Sequence, residues 1–439
     1  MSWERAGESK SAQTINLKDV RRDFHAFAEP AWCEFRTASK VIEALSDLGW
    51  DVAYGRDVIA EAHRMGLPEP TELQKWYKRA RDNGCNKAVL KNLEGGFTGV
   101  VAKLRGVMPG PIIALRFDLD ANLGQEASDD EHLPAREGFA SQHLGIHHSC
   151  GHDGHTALGL AVAKTLTVER ESLRGEVRLV FQPAEEGLRG AAAMVAANTL
   201  KDVNLFLGCH IGVQALSTGE IIAGYNNILA SVKLDAHFTG VAAHAALSPH
   251  LGQNALLAAC VAAQNLYAIG QHGDGETRVN VGLLVAGTSR NTIASSAYLA
   301  AEVRGQSTSI IDYLESRAKQ VLQTSAMMYG ASVKIEKVGA SCPGMSSPKA
   351  VEFIRRSAKT VPSVTLVRDI CDFKACDDVA VMMDAVQKQG GVAAYFGLGA
   401  DLANVHHHPR FDFDENCLQI GLDVIVNAIR EAGGISKTC

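Results

Sequence analysis

Residues 147–155 read His-His-Ser-Cys-Gly-His-Asp-Gly-His, which puts four histidines, a thiol and a carboxylate within nine positions. These are the donor types that hold divalent ions, and in Cys150-Gly151-His152 the glycine permits a tight turn that lets both side chains converge. A thiolate bound to metal titrates far below a free thiol. Nine residues cannot close such a site alone. Further donors stand in Pro183-Ala184-Glu185-Glu186-Gly187, in Cys209-His210, and in His406-His407-His408 ahead of Pro409. Adjacent glutamates can divide the work: one ligates, and the other takes a proton from water whose pKa a metal lowers to about 7. Each group also has a plain reading. A Cys-x-His pair is often structural, a Glu-Glu turn is often solvated surface, and a histidine triplet is often merely exposed.

The elements between these groups weigh against coincidence. Short β-branched runs alternate with helix-length amphipathic segments, the pattern of an α/β protein with a largely parallel sheet. Residues 110–120, 175–182 and 202–210 read as strands, and 155–166 reads as a helix that starts at the Asp153-Gly154 turn. In open α/β sheets ligands bind beyond the carboxyl ends of the strands. Glu185-Glu186 and His210 both fall there, as does the loop that carries Cys150 and His152. From 229 to 337 the order becomes strand, helix, strand, strand, helix. That order predicts a separate α+β unit with a four-stranded sheet and two helices, inserted into a catalytic domain formed by 1–228 and 338–439. Residues 54–94 read as a helical excursion within the first half.

Composition sets the outer bounds. The 439 residues are 46% hydrophobic and 21% charged, with 41 Gly and 12 Pro, a globular profile long enough for two domains. A net charge of −6 spread without long runs gives no basic face for nucleic acid or an anionic membrane. The apolar runs are too short and mixed to span a bilayer. The start, MSWERAGESKSAQ, has no apolar core of a secretory signal, so a cytoplasmic location is expected. Cys33, Cys85, Cys150, Cys209, Cys260, Cys342, Cys371, Cys376, Cys417 and Cys439 are scattered, which reads as reduced thiols and not a disulfide framework.

The motifs together resemble the M20 metallopeptidases, in their amidohydrolase branch. The residues that carry the likeness are Cys150-Gly-His152-Asp-Gly-His155, Pro183-Ala-Glu185-Glu186-Gly, His210, and His407 four residues before Phe411. It extends along nearly the whole chain, and the 54–94 excursion points within the branch to hydrolases of p-aminobenzoyl-glutamate. The resemblance implies a zinc-peptidase-like catalytic domain with a lid and dimerisation domain. It implies that Cys150, His152, Glu186, His210 and His407 hold two divalent ions, Mn foremost and Zn, Co or Ni as alternatives, with Cys150 between them. Glu185 would be the general base. Asp120 would orient a ligand histidine, with Asp118 as its rival. His244 would reach across from a partner chain to stabilise an oxyanion. Asn291 and Arg304 would face the substrate, the guanidinium suiting a free carboxylate. His147 and His148 are left to structural roles, and His155 to the start of its helix.

Two segments depart from the family pattern. Asp120-Ala121-Asn122 puts an amide where an apolar residue is usual, and Ala375-Cys376-Asp377-Asp378 replaces Gly-Ser-Glu-Asp.

The expected reaction is hydrolysis of the amide of a small N-aroyl or N-acyl amino acid. p-Aminobenzoyl-glutamate is the first substrate and indole-3-acetyl-aspartate the second, and the assembly would be a homodimer through the lid or a heteromer with a related chain. A non-catalytic partner chain would be expected to have lost Glu185 or a ligand. A hydrolase with Cys150 as nucleophile would leave Glu185 and Glu186 without work.

Overall fold

A computed structural model of the chain describes residues 16–435; the polar start and Cys439 lie outside the described residues. Among the described residues, eight strands form the main sheet. In spatial order they are Asp51–Tyr54, Val100–Arg105, Arg174–Gln182, Met108–Asp118, Leu205–Ile211, Val392–Leu398, Glu220–Ile222 and Leu366–Arg368. The four central strands, Arg174–Gln182 through Val392–Leu398, run parallel. Both flanks join them by antiparallel pairings. Register aligns Asp118 with Gln182 and Gly397 with His210, so the carboxyl ends of the central strands share one edge.

The strands are buried on both faces, which is why they read as continuous apolar runs. Phe117, Leu179, Phe181, Leu207 and Phe396 are almost inaccessible to solvent, each such side chain contributing roughly 1.5–3 kcal/mol on burial. Helix His152–Val168 lies in the same core, with Leu158, Val162 and Leu166 fully covered. It begins three residues earlier than its sequence pattern indicates. Gly151 adopts φ 83, a left-handed conformation that L side chains avoid, and this lets the helix start directly at His152.

A second, antiparallel sheet has the order Thr277–Ala286, Ser296–Gly305, Ala230–Thr239 and Ser332–Ser341. Helices Ala255–Tyr267 and Thr308–Met328 cover one face around a core of its own, with Leu234, Phe238, Leu299, Leu314 and Leu322. The α/β fold with a separate four-stranded unit is therefore as the sequence pattern indicates. The last strand of this unit continues to Ser341, past the alternation that is visible to 337. The excursion carries helices Pro70–Asp82 and Lys87–Leu93, anchored by buried Trp76, Leu90 and Leu93. The nine cysteines among the described residues are free thiols, and no helix there is long and apolar enough to cross a membrane.

Candidate metal centre

The loops at the carboxyl edge bring the sequence-marked donors into one cluster. Cys150 groups with His152 and His210 on one side, and with Glu186 and His407 on the other; within each group the ligand atoms lie within 4.8 Å of one another. His152 also groups with Glu185 and Glu186. Cys150 Sγ stands 3.4 Å from His210 Nε2, and His407 Nε2 stands 3.7 Å from Glu186 Oε1. All five expected ligands meet, and Cys150 is common to both groups.

Hydrogen bonds leave the right nitrogens free. His152 Nδ1 donates to the Asp120 carbonyl at 2.8 Å, so a neutral ring has its lone pair on Nε2. In the protein alone, against burial, Asp118 and Cys150 hold this imidazole well above its ordinary pKa, and a cation at Nε2 would displace that proton. His210 Nδ1 donates to the Ile211 carbonyl at 2.9 Å, which puts the lone pair of its neutral ring on Nε2 as well. His152 Nε2 and Glu186 Oε1 are buried acceptors without a protein partner, a costly arrangement unless a cation takes them. Histidine, thiol and carboxylate donors in this arrangement fit a divalent metal site. His155 differs. Its Nδ1 donates to Asp118 at 2.6 Å and its Nε2 accepts the Ile211 N–H at 3.1 Å, so neither nitrogen can ligate. It ties the helix start to the end of strand Leu205–Ile211 and thereby fixes His210. His407 sits at φ 65, and its N–H donates to the Ser149 carbonyl at 2.8 Å, joining the loop to the Cys150 turn.

Three buried carboxylates grip the backbone of the glutamate turn. Glu34 accepts the Ala184 N–H at 2.8 Å. Asp120 accepts Glu185 and Glu186 N–H groups at 2.9 and 2.8 Å. Asp378 accepts those of Gly190 and Ala191 at 3.2 and 3.0 Å. Asp120 stands behind His152, with its carboxylate Oδ1 3.7 Å from the same Nδ1. Its carbonyl holds His152, while its carboxylate holds the turn. Its rival Asp118 lies 3.8 Å from His152 Nε2 but spends its short bonds on His155 and Arg116. Arg116, fully buried, joins Asp118, Asp377 and Asp378. In the departing segment, Asp377 accepts the Tyr395 hydroxyl at 2.5 Å, and both aspartates group with Glu185. Asn122 is buried with its Oδ1 unpartnered.

The electrostatics follow from burial. In the protein alone, burial and then the charges of Asp377, Glu186 and Asp378 push the Glu185 carboxyl well above the usual range, the direction a proton shuttle requires. Burial raises the Cys150 thiol. Burial and the neighbouring His155 and His406 keep His210 neutral, as a ligand must be.

The marked residues of the four-stranded unit stand apart from this cluster. His244 is exposed, and its Nδ1 accepts the N–H groups of Ala246 and Leu247. It pairs with Thr292, and the Ala245 N–H donates to the Asn291 carbonyl at 3.0 Å, so His244 and Asn291 share one lid surface. Arg304 does not offer an open fork: its Nε and Nη2 both rest on Glu302, at 3.0 and 2.8 Å.

Glu34, His155, Arg116 and Asp378 were not marked as site residues by sequence. Arg116 had a signal, a cation inside the apolar run IIALRF. Glu34 had none beyond the family likeness, because only the fold brings it to Ala184.

Known proteins place this architecture. The family described as Peptidase family M20/M25/M40 matches residues 114–431. The chain is 46% identical over 406 residues to indole-3-acetyl-aspartic acid hydrolase of Enterobacter agglomerans, covering 92% of this chain and 93% of that protein. It is 45% identical over 410 residues to one of the subunits of p-aminobenzoyl-glutamate hydrolase of Escherichia coli, covering 93% and 94%. The crystal structure of aminobenzoyl-glutamate utilization protein from Klebsiella pneumoniae superposes with a TM-score of 0.80 at 40% identity, covering 94% of each chain. The chain belongs to the M20 peptidase family and is a metal-dependent hydrolase of amide bonds.

Proposed function

We propose that the chain is a dinuclear amidohydrolase that cleaves p-aminobenzoyl-glutamate to p-aminobenzoate and glutamate. The observation that carries the reading is the set of five donors around Cys150, with His152 Nε2 and Glu186 Oε1 buried and unpartnered and Glu185 beside them. Cys150, His152, Glu186, His210 and His407 would hold two ions, Mn first and Zn, Co or Ni as alternatives. When bound, the ions would supply Lewis acidity to the scissile carbonyl and acidify water.

The chain's own residues do the rest. Glu185 takes the proton from the attacking water and returns it to the amino-acid nitrogen as the C–N bond breaks. Asp120 fixes both glutamates through their amides. His244, from a partner's lid, donates to the developing oxyanion, and Asn291 lines the same surface. Arg304 binds the glutamate carboxylate by exchanging Glu302 for it.

A homodimer through the lid suits the exposed Leu247, Leu251, Tyr267, Leu283 and Val285 on that unit. The Escherichia coli relative is by name one subunit of its enzyme, which supports a heteromer with a related chain instead. Indole-3-acetyl-aspartate is the second reading, favoured by the 46% identical relative. A cytoplasmic location suits the free thiols.

The test is amino-acid release from both conjugates by the purified chain, metal-stripped and then restored with Mn, Zn, Co or Ni. Faster metal-dependent release of glutamate supports the first substrate. Faster release of aspartate moves the reading to the second. Release of neither by the metal-loaded chain, with activity appearing only when a related chain is added, assigns the heteromer.

A further inference from the structure

Three backbones from distant parts of the chain meet beside the glutamate turn, and each passes the contact on a glycine. Gly66 belongs to the 54–94 excursion, Gly187 to the turn itself, and Gly339 to the last lid strand, Ser332–Ser341. A side chain at Gly339 would collide with the Gly187 carbonyl and one at Gly66 with the Val338 carbonyl, while one at Gly187, where φ is 94, would push the flexible Arg189 guanidinium aside. Two hydrogen bonds close the junction. The Ala340 N–H donates to the Leu188 carbonyl at 2.9 Å, and Arg189 Nη1 donates to the Gly66 carbonyl at 2.8 Å. The excursion loop is braced from behind. Trp32 Nε1 donates to the Met65 carbonyl at 2.8 Å, and the Arg64 guanidinium lies 3.8 Å from the Phe97 ring centre.

The turn needs such bracing. Ala184 and Leu188 have φ 54 and 63, a region unfavourable to residues other than glycine and held only where the surroundings impose it. Carboxylates grip its amides along its length, and Arg189 ties its end to the excursion. Among the described residues the Arg189 side chain's hydrogen bond goes to the Gly66 carbonyl and not to a donor of the cluster, so its influence passes through backbone position.

We propose that Arg189 and Gly66 form a latch by which the 54–94 excursion sets where the Glu185–Glu186 turn stands against the lid, with Arg189 as a positioning residue. The inference rests on the amide hydrolysis proposed above. Displacement of a reacting group by about 1 Å can cost about 100-fold in rate.

The experiment compares the full metal-loaded chain with Arg189→Ala and Arg189→Lys. Steady-state cleavage is measured together with metal content, and amide hydrogen exchange is measured over 60–70, 184–191 and 338–342. The latch predicts that Arg189→Ala lowers kcat by about 10- to 100-fold with bound metal and KM nearly unchanged. Exchange should quicken in all three segments, and Arg189→Lys, which keeps a donor for Gly66, should recover part of kcat. Wild-type kcat in Arg189→Ala, or a loss matched by lost metal, would overturn it. If the unsubstituted chain cleaves neither conjugate, the proposed reaction fails by that result, and exchange alone judges the latch. Unchanged exchange at 60–70 and 338–342 in Arg189→Ala would then refute it.

Discussion

One oxygen of the Asp120 carboxylate accepts the Glu185 N–H at 2.9 Å and the other accepts the Glu186 N–H at 2.8 Å. A single side chain thus sets the proposed base and a proposed ligand together, while its own carbonyl fixes the ring of His152. Asp120→Asn exchanges one acceptor oxygen for an NH2 that faces an N–H. We expect metal affinity and kcat both to fall about 10- to 100-fold, the usual effect of losing a partner behind a ligand. Metal titration against a competing chelator, alongside turnover, checks it.

His244→Ala should lower kcat by about 100-fold or more if the imidazole serves the oxyanion. Its place on an exposed surface of the four-stranded unit, with its Nδ1 accepting the N–H groups of Ala246 and Leu247, gives a sharper expectation. Mixing His244→Ala with Glu185→Gln should restore activity, because a mixed dimer has one site with an intact Glu185 and an intact partner His244. Two inactive proteins that stay inactive when mixed would return His244 to its own chain or to a structural part.

Cys150 and His152 stand two residues apart in sequence, and Glu186, His210 and His407 each sit in a short donor-bearing segment, so the donor types were legible there. The chemistry of each donor is intrinsic, and a strand-to-loop order placed them at one sheet edge. The supports were less legible because they are made by tertiary approach. Glu34 lies in an early loop and meets Ala184 only in the fold, and Asp378 reaches Gly190 from a different strand connection. Asp120 was visible as a carboxylate near the site, but which of its atoms met which partner depended on where the strand stopped, at Asp118. Arg304 read as a substrate grip because Glu302, two residues away on the same strand face, has no sequence mark as its partner.

Between about pH 6.5 and 9, stability should fall as pH rises in the metal-free chain. Below that range buried His148 and His406, lowered to about 3 and 4 by burial, act in the opposite direction. Against burial and the Arg21 charge, bonds to Asp153 and Glu126 hold His25 up at about 9, from an ordinary 6.5. A raised folded pKa gives stability that is fully present below about 6.5 and is lost as pH climbs through about 9. Burial also raises the Glu29 carboxyl to about 7, which removes stability in the same direction between about 4.5 and 7. His25→Gln should flatten the decline between pH 6.5 and 9 by on the order of 3 kcal/mol. Urea denaturation at several pH values measures this, and an unchanged slope would show that His25 is neutral in the folded chain.

Five donors and one free glutamate divide the centre between holding ions and moving a proton. Bound metal and turnover of p-aminobenzoyl-glutamate, measured together in the wild type, Glu185→Gln and Glu186→Gln, test that division most directly. Two ions per chain are expected in the wild type and in Glu185→Gln, with turnover in the latter down by about 100-fold or more, and fewer ions in Glu186→Gln. Near-wild-type turnover in Glu185→Gln, or full metal in Glu186→Gln, would contradict it.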